Sequence, residues 1–459
     1  MVDLRGKKVI VLGLGDSGLS MARWLNRRGA TVTVADTRAA PPRAADLARE
    51  FPDVGIETNG FRGRTLRAAE LIAISPGVDR RAPEVAAAIT RGTPVAGDIE
   101  LFAQALPASD APSVIAVTGT NGKSTVTRLA GDICIAAGLR TMVAGNIGTP
   151  VLDALIEIED GAPWPQAVVL ELSSFQLEST ASLDADAATV LNVTPDHFDR
   201  YHGIDDYAAA KARVFRGDGA QVLNCDDARV AAMALPGRAV QRFGLEAPAG
   251  EREWGVVRAD GAAHLARGAQ RLLPTAELPL AGLHNAANAL AAGALCHAIG
   301  VADEPIVAAW RAFHALPHRV EKVAEIDGIA FYDDSKGTNV GATAAALDGF
   351  TQPVVLIAGG DGKGQDFAAL REPVKRRARA VVLIGRDRER IARALAGCGV
   401  PLERADSMEQ AVACAFAAGR AGDAVLLSPA CASFDMFRNY AHRGEAFAAA
   451  AKKLEAAHG

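Results

Sequence analysis

Residues 114–132 read VIAVTGTNGKSTVTRLAGD. An apolar run, a glycine-bearing polar loop and a helical pattern follow one another, the strand–loop–helix order of a phosphate-binding loop. Gly119 and the pair Asn121-Gly122 supply positions that tolerate positive φ, so backbone N–H groups around Thr120 can turn inward toward an anion. Lys123 opens the helix, where its ammonium can reach terminal phosphates, and the hydroxyls of Ser124 and Thr125 behind it are suited to Mg²⁺. Strict phosphate-loop spacing wants a glycine five residues before Gly122, and that position is Val117. The missing glycine alters the entry to the loop and leaves the cradle intact.

Outward from this stretch, short apolar runs alternate with Ala-rich helical patterns along the chain: VIVLGLG, TVTVADT, LIAIS, AVVLEL, ATVLNV, QVLNC, VVLIAGG, VVLIG and AVLLSPA. Such alternation predicts parallel sheets with crossover helices. The runs lack period-2 alternation, as strands covered on both faces do. The segment 237–280 is less regular, and EREWGVVRADGAAHLARG within it reads as a small hairpin. Two linkers, ALPASDAPS (105–113) and ALPHR (315–319), divide the chain into expected domains 1–106, 107–315 and 316–459.

Bulk properties agree with this plan. At 459 residues the chain has room for about three domains. Apolar residues make up 49% and charged residues 22%, enough for sizeable cores and against disorder. A net charge of −5 gives no reason to expect nucleic acid or an anionic membrane as partner. No apolar run approaches the roughly 18 residues of a membrane span. The basic start and apolar run MVDLRGKKVIVLGLG end at Asp16 without a cleavage-site pattern, so they read as a first strand. The six cysteines form no C-x-x-C pair and are expected as reduced, buried thiols in a cytoplasmic protein.

A second glycine loop, G-L-G-D-S-G at Gly13, Gly15 and Gly18, follows that first strand, and Asp36 closes the next one. This is the dinucleotide fingerprint in its proper context. Taken alone it favours an NAD-dependent oxidoreductase. Its physics is less selective, because close backbone approach and a helix N-terminus suit any nucleotide diphosphate.

Other candidates cluster at predicted strand ends, where open α/β sheets bind ligands. Glu171 ends VVLEL and could hold Mg²⁺. His197 lies in the Pro/Asp-rich loop after ATVLNV. Lys211 has the composition of an ordinary helix lysine. Asn285 and Asn288 lie three apart on one helix, a pair that could equally be a cap.

The stretches TGTNGKST, LELSSFQLE, NVTPDHFDRYH, GLHNAANALAA, LPHRVE and DDSKGTN, in this order, resemble the Mur ligases, ATP-dependent enzymes that add amino acids to the peptidoglycan precursor. The likeness spans essentially the whole chain. GGDGKGQDF and LLSPACASFDMFRNYAHRGEAF are similar to the D-glutamate-adding branch, and the D-N-P-R motif of the diamino-acid-adding relatives is absent. In this family the phosphate loop lacks the distal glycine, so Val117 fits.

The resemblance implies a three-domain α/β fold: a Rossmann-like N-terminal domain, a central P-loop-type ATPase domain with a mostly parallel sheet, and a Rossmann-like C-terminal domain. It implies that the first glycine loop binds a UDP-linked substrate, UDP-N-acetylmuramoyl-L-alanine, through Leu14, Asp16, Ser17, Asp36, Thr37, Arg38, Ser75 and Gly77. Asn146, Asn285 and Asn288 are implied around the nucleotides, Asn146 also toward the UDP substrate, and Asp334 on a ribose. Lys123 and Arg319 are implied on phosphates. Ser124 and Glu171 would serve one Mg²⁺, and His197 with a carbamylated Lys211 a second. Lys336, Thr338, Lys363, Ser433, Phe434 and Tyr440 are implied around D-glutamate. The implied catalytic set is Lys123, His197, Lys211, Arg319 and Lys336. The implied reaction forms an acyl phosphate from ATP, which the amino-acid amine then attacks, in a cytoplasmic monomer whose domains close about ALPHR. Folylpolyglutamate synthase is the nearer rival, but its chain normally begins without a domain like 1–106. A non-catalytic nucleotide switch would have no need of Lys363.

Overall fold

The computed structural model describes residues 3–279, 282–314 and 316–458. Expected domain limits at 1, 315 and 459 fall on residues outside these, as does Ala315 of the linker ALPHR. Among the described residues the chain builds three sheets.

The first sheet has the order β3-β2-β1-β4-β5 and is parallel throughout, from β1 (Lys8–Leu12), β2 (Thr31–Ala35), β3 (Gly55–Glu57), β4 (Leu71–Ile74) and β5 (Val95–Ala96). The helix Asp16–Arg27 leaves β1 through the glycine loop and buries Leu19, Met21, Ala22, Trp24 and Leu25. Gly18 is what lets that helix sit so close. A Cβ there would lie 1.9 Å from the carbonyl oxygen of Gly13, so no side chain fits.

The second sheet runs β14-β13-β12-β11-β10-β9-β6-β8-β7. β6 (Ser113–Thr118) lies third from one edge, flanked by β8 (Ala167–Glu171) and β9 (Ala187–Val190), with β7 (Thr141–Gly145) forming that edge. Strands β10 (Ala220–Asn224), β11 (Val240–Phe243) and β12 (Glu253–Ala259) extend it in parallel. β12, β13 (Ala262–Arg267) and β14 (Gln270–Pro274) then form an antiparallel meander, so the expected hairpin gains a third strand. Val114–Val117 of β6 are buried to 2% exposure or less, which explains the unbroken apolar run.

The third sheet is β15-β16-β20-β17-β18-β19, from β15 (Glu321–Ile326), β16 (Ile329–Asp333), β17 (Val354–Gly359), β18 (Ala378–Ile384), β19 (Leu402–Arg404) and β20 (Ala424–Leu427). Only the β15–β16 pair is antiparallel. Alternate residues of β17 feed two cores: Val354, Leu356 and Ala358 one, Val355 and Ile357 the other. Each fully buried Val, Leu or Ile contributes about 1.5–3 kcal/mol. Both faces therefore hold the sheet.

One compact unit takes in the chain to Asn192, Ala208–Thr275 and Asn288–Arg311, and so carries the first two sheets. The other takes in Val193–Tyr207, 276–287 and the chain from Ala312, with the third sheet. Within the first unit the helix Asp16–Arg27 is seated on the helix Val151–Glu159. Arg23 pairs with Asp153 at 3.1 Å, and Glu159 accepts from Arg28 at 2.5 Å and from the Trp24 indole at 3.1 Å.

Candidate active site

At the C-terminal edge of the second sheet, register pairs Val117 with Glu171 and Thr118 with Val190, so three strand ends lie side by side. The chain leaves β6 into the loop 119–122 and enters the helix Lys123–Ala136. The loop is clamped by β9's exit. Thr120 N–H donates to the Asn192 carbonyl (2.9 Å) and Asn121 N–H to the Asn192 side-chain oxygen (2.8 Å). The Asn192 amide returns a bond to the Asn121 carbonyl at 3.1 Å. Gly122 has φ +83°, and a Cβ on it would sit 2.5 Å from the side-chain oxygen of Asn288. The conformation and the neighbour both exclude a side chain there.

The Lys123 ammonium folds back to the carbonyls of Gly119 (2.9 Å) and Thr120 (2.8 Å). Lys211, 1% exposed, also donates to the Gly119 carbonyl, at 2.8 Å. A polar helix lysine by composition is thus a buried cation beside the phosphate loop. Ser124 and Thr125 are buried behind Lys123. Asn146, at the end of β7, donates through its side chain to Glu171 Oε1 and through its backbone to the Glu171 carbonyl, both at 2.8 Å. It stands beside the second sheet's carboxylate. Glu171 is 1% exposed, and among the described residues its Oε2 has no hydrogen-bond partner. A buried carboxylate oxygen left open is costly unless a cation or donor meets it, so this donor fits a hard divalent metal.

Around the first sheet's glycine loop, Asp36 is buried. Its oxygens accept from Leu14 N–H (2.7 Å) and from the Arg38 backbone (2.8 Å), with the Arg38 guanidinium at 2.6 Å. Burial works to raise its pKa, but Arg38 and the backbone donors outweigh this and hold it at about 2. Ser75 donates to the Gly13 carbonyl at 2.8 Å. Leu14 is buried with its N–H committed to Asp36, whereas Asp16 is exposed and pairs with Arg43 at 2.7 Å. Thr37 and Gly77 are exposed, and Ser17 is half-buried.

In the second unit Arg319 stands between His318 (φ +62°) and Val320 (φ +53°), two left-handed residues that force a sharp turn. His318 Nδ1 lies 2.6 Å from Asp333. Next to Asp333, Asp334 accepts from the Ser428 hydroxyl at 2.7 Å. Burial pushes its carboxyl up to about 7, against the pull of Ser428 and Arg319. The Lys336 ammonium sits 3.8 Å over the Tyr440 ring, and Thr338 N–H donates to the Lys336 carbonyl at 2.8 Å. Ser433 is buried, Phe434 is 74% exposed and Asn285 opens its helix with a bond to the Gly282 carbonyl.

Lys363 is drawn to a residue that sequence reasoning missed: its ammonium lies 2.6 Å from Asp196. The same carboxyl takes the His197 N–H at 2.9 Å and faces Asn339 at 3.4 Å. Burial would raise the Asp196 pKa, but Lys363 and His197 prevail and lower it. Asn192 was also missed. Its signal was present: a polar residue just past a strand end, on the edge that carries the phosphate loop.

Three family models match the chain: "Mur ligase MurD-like, N-terminal domain" over residues 7–97, "Mur ligase middle domain" over 117–296 and "Mur ligase, glutamate ligase domain" over 318–431. Two curated relatives, from Methylobacillus flagellatus and Aromatoleum aromaticum, are each 57% identical over 99% of both chains, and both are named UDP-N-acetylmuramoylalanine–D-glutamate ligase.

The chain belongs to the Mur ligase family.

As a Mur ligase it is an ATP-dependent ligase of peptidoglycan synthesis. Its fold is that of other members. It is similar to the UDP-N-acetylmuramate–alanine ligase MurC of Thermotoga maritima (TM-score 0.61, 18% identity, 98% of this chain and 100% of that one). It is also similar to MurF of Acinetobacter baumannii (TM-score 0.60, 17% identity, 97% and 93%). Among the described residues, no helix of this Mur ligase is long and apolar enough to cross a membrane.

Proposed function

We propose that this chain joins D-glutamate to the alanyl carboxylate of UDP-N-acetylmuramoyl-L-alanine, cleaving ATP to ADP and phosphate. The observation that carries the reading is the full-length likeness to relatives bearing that name. The phosphate-loop geometry supports it.

A carboxylate is a poor electrophile at neutral pH. Transfer of the γ-phosphoryl group to it makes an acyl phosphate, and attack by the amine then expels phosphate. Such transfer is mostly positioning and charge neutralisation. Lys123 already lies on the loop it must serve, held by carbonyls that it can exchange for phosphate oxygens. Arg319, on its strained turn, is the second phosphate cation. Asn288, packed on Gly122, and Asn285 lie with the nucleotide, and Asp334 holds its ribose.

Mg²⁺ would be held by Ser124 and Glu171, with a second ion on His197 and Lys211, and when bound it neutralises phosphate charge. An ammonium repels a metal. Addition of CO₂ to the Lys211 amine forms an N–C bond, releases a proton and leaves an anionic carbamate with oxygen donors. Lys336, Thr338, Lys363, Ser433, Phe434 and Tyr440 take D-glutamate, whose two carboxylates call for the two lysines. The first glycine loop, with Asp16, Ser17, Asp36, Thr37, Arg38, Ser75 and Gly77, takes the UDP end, and the functional division follows residues 1–106, 107–315 and 316–459. The enzyme acts as a cytoplasmic monomer.

Titration calorimetry tests the reading at the first loop. UDP-N-acetylmuramoyl-L-alanine should bind and NAD⁺ and NADP⁺ should not. Micromolar binding of a nicotinamide nucleotide, with none of the UDP compound, would overturn it.

A further inference from the structure

The tetrapeptide Gly97-Asp98-Ile99-Glu100 follows the last strand of the first sheet and opens the helix Asp98–Ala105. Its polar groups turn to residues 176–182, just past Glu171 of the second sheet. Gly97 N–H donates to the Ser179 carbonyl at 3.2 Å, and a Cβ on Gly97 would lie 2.3 Å from the Ser179 hydroxyl. Glu100 accepts from the N–H groups of Ala181 (2.6 Å) and Ser182 (2.9 Å) and from the Ser182 hydroxyl (2.8 Å). Asp98 accepts from the Gln176 amide at 3.1 Å.

Asp98 differs from the rest in what lies on its other side. Its carboxyl, 2% exposed, also takes the Ile99 N–H at 2.9 Å and faces the hydroxyl of Ser17 in the first glycine loop. Gln176 is committed at its far end too. Its carbonyl oxygen accepts from the Ser173 N–H (3.0 Å) and hydroxyl (3.2 Å), closing the capping box of the helix Ser174–Glu178. That box stands two residues beyond Glu171. A line of contacts, buried at Asp98 and Gln176, thus runs Ser17–Asp98–Gln176–Ser173 and reaches the strand end that carries Glu171. Burial pushes the Asp98 carboxyl up, with Gln176, Ile99 and Ser17 opposing. The contacts around it are dipoles, a costly way merely to glue two sheets when apolar packing would serve.

We propose that Asp98 is a positioning residue of the ligation, holding the UDP-binding loop at Ser17 in register with the Glu171 end of β8 through Gln176. This rests on the functional reading above, in which Ser17 serves the UDP substrate and Glu171 the Mg²⁺ ion. Misplacement by about 1 Å can cost on the order of 100-fold in rate. The rate of phosphoryl transfer to the UDP substrate is therefore what Asp98 controls, while ATP affinity belongs to the loop 119–125.

The test is an exchange of partners, read by steady-state kinetics on the full chain with UDP-N-acetylmuramoyl-L-alanine, D-glutamate and ATP. Gln176→Glu sets two carboxylates against each other and should lower kcat by on the order of 100-fold. Asp98→Asn, of the same shape, should lower kcat by about tenfold, with KM for ATP and the thermal midpoint unchanged. The double variant Asp98→Asn/Gln176→Glu restores one donor facing one acceptor at unchanged charge and should recover most of the rate. Wild-type kcat in Asp98→Asn, a double variant no faster than Gln176→Glu alone, or losses that track the thermal midpoint would each overturn the proposal. A wild-type chain that releases no ADP with these substrates overturns the functional reading itself, and the two failures are distinct.

Discussion

The ammonium groups of Lys123 and Lys211 donate to one atom, the carbonyl oxygen of Gly119, over 2.9 and 2.8 Å. Two like charges on a single acceptor repel, and the repulsion grows as water is excluded, here around a Lys211 that is 1% exposed. Conversion of Lys211 to an anionic carbamate, as proposed, would turn this repulsion into attraction.

For Lys211 the expected outcome is chemical rescue. Lys211→Ala should lose most ligase activity, and formate or acetate should restore part of it by filling the vacated space. Lys211→Arg should stay inactive in both, because guanidinium keeps the charge and occupies the space. Near-wild-type turnover in Lys211→Arg would mean that only a cation is needed there.

Lys123→Ala should reduce ADP release by on the order of 100-fold or more, the scale of removing one preorganised electrostatic contact to a transferring group. Circular dichroism should be unchanged, because this ammonium bonds loop carbonyls and fills no core. A folded variant with full ATP turnover would refute the assignment.

Asn192 makes two side-chain bonds to Asn121 that shape the phosphate loop before any nucleotide arrives. At roughly 0.5–1.5 kcal/mol each, their loss in Asn192→Ala should raise KM for ATP about tenfold. KM for the UDP substrate should not move. An unchanged KM for ATP would show that the clamp is dispensable.

Asp334 gives a pH signature. Burial raises its carboxyl to about 7 in the fold, above the ordinary carboxylate value it has in the unfolded chain. The folded state therefore holds the proton more tightly. This contribution to stability is whole below about pH 4 and is lost as pH rises through about 7. The thermal midpoint of wild type should fall between about pH 5 and pH 8 relative to Asp334→Asn, which is neutral throughout. Parallel profiles for the two proteins would contradict the raised value.

Much of the fold was legible because apolar strands alternate with helical segments, and Gly18 and Gly122 each mark a place where backbone must approach backbone or side chain. The placing of Lys123 and Ser124 at a helix start followed from strand–loop–helix order, and that of Glu171 from its position at a strand end. Lys211 could not, because a helix lysine looks solvated until the Gly119 carbonyl is brought to it by the fold. Asp196, Asn192 and Asp98 escaped for the same reason. Their partners Lys363, Asn121 and Gln176 lie 167, 71 and 78 residues away, and no local pattern joins them. The meander β12–β13–β14 was only partly visible, since its third strand pairs across a bulge at Leu265/Ala266.

The most direct measurement is product analysis by mass spectrometry after incubation with ATP, Mg²⁺ and UDP-N-acetylmuramoyl-L-alanine, offering D-glutamate, L-glutamate, L-lysine and meso-diaminopimelate in separate reactions. The account predicts one ADP per UDP-N-acetylmuramoyl-L-alanyl-D-glutamate formed, and that product with D-glutamate alone. AMP in place of ADP, or an adduct with another amino acid and none with D-glutamate, would contradict it.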